Sequence, residues 1–440
     1  MNKNLLFATV VSALGSFLFG FDTAVISGTT KFITQYFSLT DATLGITVSM
    51  ALWGTVVGSI IVGKPGDIWG RRAMLLLTGA AYFVSAIGSA LATGWYTLLI
   101  FRFLGGVAIG AASVMAPMYI AEIAPGRMRG RLVAVSQFNI VVGILVAFFS
   151  NYLLVNVGAD NWRWMFGVMA IPSAAFFGLL FVVPESPRWL MKVGKADTAK
   201  KVLEKVGAEN VASELDDIAR SLKEEGGKTK LFQKKYSFAI WSAVLLAFFA
   251  QMSGINVIMY YAPMIFEKAG ASTGDAMLQA IAVGVTNLIF TILAMFFIDR
   301  VGRRPLLLIG AVGMFISLAG AALHYYDGHL VGDLAMVGCV IGFVAFFAFS
   351  QGAVIWVFLS EIFPNKIRSQ GQALGSFVDW IVNAVIGLVF PIALTSFGGG
   401  DVFMFFAVLM IPFFFFVLRF MPETKGKSLE ELERLVVVED

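Results

Sequence analysis

Runs of about 20 apolar residues recur from one end of this 440-residue chain to the other, the length a helix needs to cross bilayer hydrocarbon at roughly 1.5 Å per residue. Apolar residues make up 58% of the chain and charged residues 14%, too few charges to cover a water-facing surface. We place twelve spans, at 5–30, 43–63, 73–93, 95–121, 132–156, 164–184, 238–266, 276–298, 305–325, 333–361, 371–396 and 401–421. The expected class is therefore an all-α membrane protein. The run after Lys3 is similar to a signal peptide, but it continues past Asp22 without a small-residue cleavage site and reads as the first span.

The polar stretch 185–235 interrupts this pattern. Leu215, Ile218 and Leu222 recur there at helical spacing among Glu and Lys, the pattern of short amphipathic helices in water. Lys and Arg set the expected orientation. Loops after spans two, four, eight and ten hold eleven of them (Lys64, Arg71, Arg72, Arg127, Arg129, Arg131, Arg300, Arg303, Arg304, Lys366 and Arg368), against Lys31, Arg163 and Lys268 on the other side. The first set is expected to be cytoplasmic, and an even span number then places both termini there.

Three loop motifs occur twice. Asp67-Ile68-Trp69-Gly70-Arg71-Arg72 returns as Asp299-Arg300-Val301-Gly302-Arg303-Arg304, and Glu122-Ile123-Ala124-Pro125 as Glu361-Ile362-Phe363-Pro364. Pro184-Glu185-Ser186 returns as Pro422-Glu423-Thr424, and the offsets are 232, 239 and 238 residues. The chain thus reads as two similar halves of six spans in parallel orientation. The repeated motifs place Asp67, Arg71, Glu122, Arg129, Glu185 and Arg188 at cytoplasmic helix ends in one half, and Asp299, Arg303, Glu361 and Arg368 in the other. Isolated surface pairs contribute little, about 0–1 kcal/mol; a network of them is able to act as a gate.

Inside the spans, Asp22, Arg102 and Asp379 are ionisable. Each costs at least about 2.5–3.5 kcal/mol to insert, which makes such residues functional candidates. Asp22 and Arg102 are both expected in the outer half of the first bundle, close enough to pair. Arg102 favours the ionised carboxyl while burial opposes it, so a change in conformation can tip Asp22 between holding and releasing a proton; the structural alternative is a static ion pair. Ser376, Asp379 and Asn383 share one face of span eleven. The lone Cys339 excludes an internal disulfide, and His324 and His329 are too few for a metal cluster, so neither metal nor cofactor is expected and no enzyme constellation is visible. Gly54/Gly58, Gly106/Gly110, Gly338/Gly342 and Gly371/Gly375 have the spacing of close helix packing. Gly105–Gly110 is no nucleotide loop, because no strand precedes it.

Five further stretches carry a resemblance: Phe21-Asp22-Thr23-Ala24-Val25-Ile26-Ser27-Gly28, Pro117-Met118-Tyr119-Ile120-Ala121-Glu122, Pro184-Glu185-Ser186-Pro187-Arg188-Trp189-Leu190, Ser253-Gly254-Ile255-Asn256 and Pro422-Glu423-Thr424-Lys425-Gly426. In this order, they resemble the sugar porter branch of the major facilitator superfamily, which includes bacterial xylose-proton symporters and facilitative glucose transporters. The resemblance covers nearly the whole chain. It implies the major facilitator fold, with pseudo-symmetric six-helix bundles at 1–184 and 236–421, a cytoplasmic helical linker at 185–235 and a cytoplasmic tail at 422–440. It also implies a multi-pass protein of the plasma (bacterial inner) membrane that moves a monosaccharide with protons by alternating access. The expected partners are a sugar, protons and the lipid bilayer, with no nucleic acid, and the chain is expected to act as a monomer.

By the same resemblance, Asp22 is the proton-coupling carboxyl with Arg102, since facilitative relatives generally carry a neutral residue there. The sugar site maps onto Gln137, Gln251, Asn256, Asn287, Trp356, Trp380 and Asn383, joined by Asp379 where relatives generally have a neutral amide. Taken singly, each amide reads equally well as glue between helices. Tyr260 and Tyr261 match a family aromatic pair, with packing or gating as the alternative. Ala250, Ser350-Gln351-Gly352-Ala353 and Ile144 depart from the family pattern, leaving the sugar's identity open. A sugar uniporter, a polyol or inositol carrier and a transporter-like sensor remain as alternative readings.

Overall fold

Backbone N–H and C=O groups find no water in a bilayer, so apolar runs of this length have to close their hydrogen bonds internally. The computed structural model describes residues 2–125, 128–208, 210–224, 231–327, 333–364 and 367–425, and among them it is helical with no strand. Up to residue 179 the chain forms α1 (Lys3–Phe37), α2 (Asp41–Ile61), α3 (Gly63–Trp69), α4 (Arg71–Ala90), α5 (Trp95–Ile123), α6 (Arg129–Leu154), α7 (Asn161–Gly167) and α8 (Ala170–Leu179). The polar stretch forms α9 (Pro187–Lys192), α10 (Ala196–Val206) and α11 (Val211–Glu224). There follow α12 (Ser237–Met252), α13 (Ile255–Lys268), α14 (Thr273–Val301), α15 (Arg303–Tyr326), α16 (Asp333–Phe349), α17 (Gln351–Glu361) and α18 (Arg368–Phe420).

Ten of the helical stretches are long and apolar enough to cross a membrane. This is consistent with the expected twelve segments when α7 pairs with α8 as span six and α18 divides at Gly398, where the backbone leaves the helix at φ 84°, ψ 162°. Span seven is two helices, because Gly254 stands between α12 and α13 at φ 87°, a conformation that costs a glycine little. Span ten also breaks, at Ser350 with φ −119° and ψ −92°. Within the polar stretch α10 buries Ala199, Val202, Leu203 and Val206, while Leu215, Ile218 and Leu222, at helical spacing on α11, are half-buried. Ser186 starts α9 by accepting the Trp189 N–H, with Pro187 at the first helical position.

The chain divides into two compact units, one of Met1–Val25 with Met50–Lys228 and the other of Ile26–Ser49 with Thr229–Asp440. In the first unit, glycines bring backbones into contact. A Cβ at Gly54, Gly58, Gly106 or Gly110 would lie 1.9–2.3 Å from a carbonyl oxygen of the facing helix, so α2 and α5 meet without intervening side chains. Gly371 and Gly375 abut the Phe363 and Leu359 side chains, and Gly342 abuts Ser317. Gly338 departs from the expectation: a Cβ there would meet nothing within 4 Å, so no close helix packing requires a glycine at this position.

Candidate functional site

In the first unit a buried ion pair joins α1 to α5. Arg102 Nη1 lies 2.7 Å from Asp22 Oδ1, and the two side chains are 2% and 1% exposed. The Arg102 guanidinium also stands 5.5 Å from the Phe166 ring centroid. Asp22 Oδ2 is buried without a hydrogen-bond partner among the described residues, as are Arg102 Nε and the Tyr82 hydroxyl. One carboxyl oxygen is thus bonded and the other has no partner among the described residues. A Cβ on Gly105 would lie 2.5 Å from Ser85 Oγ, so a glycine there makes room for the Ser85 hydroxyl; Asp22 Oδ2, at 3.5 Å, would be in ordinary contact. The pairing expected from sequence is present. α1 runs to Phe37, past the expected end of span one near residue 30, and Asp22 lies close to the helix middle.

In the second unit a chain of amides ends on a carboxyl. Asn256 Nδ2 donates to Gln251 Oε1 at 2.7 Å, and Gln251 Nε2 donates to Asp379 Oδ1 at 2.8 Å. The break at Gly254 makes the first of these contacts: it lets α13 start beside the end of α12, so that side chains five residues apart meet. One turn along α18 from Asp379, Asn383 Nδ2 donates to Tyr260 Oη at 2.9 Å. Tyr261 Oη donates to the Gly387 carbonyl at 2.8 Å, and its ring packs on Phe390. Asp379, Trp380, Asn383, Tyr260 and Tyr261 are all buried. No cation among the described residues pairs with Asp379.

The other expected sugar-site residues do not join this cluster through hydrogen bonds among the described residues. Asn287 is buried on α14, Trp356 lies on α17 with 39% exposure, and Gln137 is half-buried on α6 in the first unit. Sequence reasoning leaves Tyr260 open between packing and ligand; here it is the partner of Asn383. Sequence reasoning also treats Gln351 as no more than a departure from the family pattern, yet that side chain is fully buried with both amide atoms unpartnered among the described residues. A polar residue inside an apolar span is the signal available for it.

The repeated loop motifs build two matching charge networks. In the first unit Arg71 Nε lies 3.0 Å from Glu122 Oε2, and its Nη1 lies 2.9 Å from Asp67 Oδ1. Glu185 accepts the backbone N–H groups of Arg71, Arg72 and Ser186, while Ser186 Oγ donates to Glu122. Burial pushes the Glu185 carboxyl up, against the pull of those N–H donors. Asp67 is also pushed up by burial, but Lys192 and Arg71 outweigh this and hold it below its ordinary value. In the second unit Arg303 pairs with Glu361 at 2.9 Å and with Asp299 at 3.0 Å. Glu423 accepts the N–H groups of Arg303 and Arg304, and Thr424 Oγ1 donates to Glu361 at 2.6 Å. The bonds named here each join residues of one unit. Arg188 reaches Ser221 and Arg368 Nε reaches the Phe363 carbonyl; the Arg129 side chain lies outside the described residues, as do Arg127, His329 and Lys366. The members that sequence reasoning does not assign to the gate are Ser186, Lys192, Glu423 and Thr424.

Comparison with known proteins identifies the family. Residues 8–436 match the family model described as sugar (and other) transporter. The chain is 38% identical over 477 residues to the D-xylose-proton symporter of Escherichia coli (strain K12), covering 99% of this chain and 96% of that protein. It is 39% identical over 435 residues to the arabinose-proton symporter of Bacillus subtilis (strain 168), covering 96% and 93%. Among solved structures, the inward open conformation of the xylose transporter XylE from E. coli matches with a TM-score of 0.87 at 35% identity, over 98% of this chain and 99% of that one. The proton:xylose symporter XylE of the major facilitator superfamily, bound to 6-bromo-6-deoxy-D-glucose, matches with a TM-score of 0.81 at 36% identity, over 98% and 99%. The chain belongs to the sugar transporter family, the sugar porters of the major facilitator superfamily.

Proposed function

We propose that this chain is a proton-coupled monosaccharide symporter, a transporter and not an enzyme, that carries a pentose or hexose such as D-xylose or D-glucose by alternating access. The observation that carries the reading is the buried Asp22–Arg102 pair with its open carboxyl oxygen, in a chain whose similar relatives are named proton symporters. Asp22 holds the proton and Arg102 sets how readily it leaves. Gln251, Asn256, Asp379, Trp380 and Asn383 supply donors, acceptors and a ring face to the sugar, and Gln137, Asn287 and Trp356 belong to the same site. The protein acts as a monomer, with both termini on the cytoplasmic side of the plasma (bacterial inner) membrane. In proteoliposomes with an inward pH gradient, a pentose or hexose accumulates, and a protonophore abolishes the accumulation. Uptake that ignores the protonophore would sink proton coupling, and no counterflow with any monosaccharide would sink the sugar assignment.

The two charge networks act as the cytoplasmic gate, with Asp67, Arg71, Glu122, Arg129, Glu185 and Arg188 on one side and Asp299, Arg303, Glu361 and Arg368 on the other. Arg303 and Thr424 both direct side-chain bonds to Glu361. Glu361→Lys therefore places like charges together and biases the population toward the inward-open state. Labelling of cysteines introduced in the cytoplasmic cavity is expected to rise; unchanged labelling removes the gate role.

A further inference from the structure

α12 and α18 leave an apolar groove of about 1060 Å³ between them at one end of the second unit. Its walls are mostly aromatic, including Phe238, Trp241, Phe249, Phe415 and Phe420, and the polar lining is limited to Ser242 and Arg419. Trp241, Phe415 and Phe420 are each more than half exposed. Both flanking segments are apolar membrane-crossing helices, so the groove opens toward hydrocarbon. A slot running between neighbouring helices suits an extended acyl chain.

Cations collect at one end of this slot. Arg419 lines it, is exposed, and has no hydrogen-bond or ion-pair partner among the described residues. Lys234 lies in the 3-10 turn Lys234–Tyr236 that leads into α12, four residues before the groove residue Phe238, and is exposed. Arg304 Nη2 donates to the Leu418 carbonyl, beside Arg419, and its Nε is buried without a partner among the described residues. The nearby carboxylate, Glu423, is occupied by the backbone N–H groups of Arg303, Arg304 and Lys425. The charged end is not a by-product of the repeated loops. Arg304 has a counterpart in Arg72, which bonds the Leu180 and Phe181 carbonyls in the same way, but the position 238 residues before Arg419 is Phe181.

We propose that the α12–α18 groove is a binding site for an anionic phospholipid, with an acyl chain along the aromatic slot and the headgroup phosphate held by Arg419, Arg304 and Lys234. A guanidinium presents paired donors to phosphate oxygens, and the clustering of Lys and Arg at this end places it in the cytoplasmic leaflet.

The test is native mass spectrometry of the protein released from vesicles of phosphatidylglycerol and phosphatidylethanolamine in equal amounts. The wild-type chain is expected to retain phosphatidylglycerol in preference. Arg419→Gln lowers that preference roughly fivefold, and adding Lys234→Gln lowers it by a similar factor again. Arg419→Lys keeps most of it, which separates headgroup recognition from misfolding, and Arg220→Gln on α11, which does not line the groove, changes nothing. Ser242→Trp, which fills the slot, reduces retention of phosphatidylglycerol without touching a charge. Equal retention of both lipids by the wild type, an Arg419→Gln variant with unchanged preference, or a second protein copy occupying the face in place of lipid would each overturn the proposal.

Discussion

Asp22→Asn protein is expected to equilibrate sugar across a membrane but not to concentrate it, so its accumulation ratio falls to about one. One pH unit across the bilayer is worth about 1.4 kcal/mol per proton, a tenfold sugar gradient for one-to-one coupling. That work reaches the sugar only through a group that binds the proton, and the open Oδ2 of Asp22 is the place offered for it. The variant also leaves Arg102 buried beside a neutral amide, a change that costs several kcal/mol for an unpaired internal charge. Counterflow separates the two effects: a folded, uncoupled carrier still exchanges labelled sugar. If the single variant does not fold, Asp22→Asn with Arg102→Gln removes both charges and is expected to restore folding without coupling. A variant at Asp22 that still builds a gradient would remove this residue from the proton path.

Gln251→Ala is expected to weaken sugar binding by roughly 1–3 kcal/mol, about five- to 150-fold, measured by calorimetry. The effect exceeds loss of one ligand contact because Gln251 is the middle link of its chain. Its oxygen takes the Asn256 amide and its nitrogen holds Asp379, so its removal leaves a half-buried amide and a buried carboxyl both short of partners. Asn256→Ala removes only one end and should cost less. Asp379→Asn keeps the bond to Gln251 in kind but cannot titrate, and it should lower affinity while flattening its dependence on pH. A deoxy sugar lacking the hydroxyl bound by Asp379 should be insensitive to that substitution. Unchanged binding in both Gln251→Ala and Asn256→Ala would move the site elsewhere.

Much of the architecture is legible in the residues, and what is not has physical reasons. The apolar runs and the doubled loop motifs lead directly to an all-helical, twofold-repeated membrane protein, because span length and loop chemistry are local properties. The interruptions at Gly254, Ser350 and between α7 and α8 are invisible there. A helix apolar on every side has no periodicity to lose, and what breaks it is packing against other helices. Gly254, for example, is held against the Phe406 ring. Carboxylate caps are invisible for a different reason. Glu185 satisfies N–H groups 113 and 114 residues earlier in the chain, and Glu423 does the same over 119 and 120. The repetition of Pro-Glu-Ser and Pro-Glu-Thr marks them as important without saying what they bond. The Asp22–Arg102 pair is recoverable because an intramembrane charge needs a partner and few exist. Amides and phenols such as Asn383 and Tyr260 have many possible partners, so their pairing has to be seen.

That the bonds named in each charge network join residues of one repeat bears on how the chain is made. A ribosome delivers Asp67, Arg71, Glu122 and Glu185 before any of the second repeat exists, so the first set of buried charges finds its partners early. The second set is likewise complete once Glu423 follows Arg303 and Glu361. Lys31 is the exception: its partners Glu267 and Thr273 lie 236 and 242 residues downstream, and they arrive only after α13 has been synthesised. Nascent first halves can therefore settle in the bilayer with their interior charges already neutralised, while the far portion of α1 waits for a neighbour not yet translated.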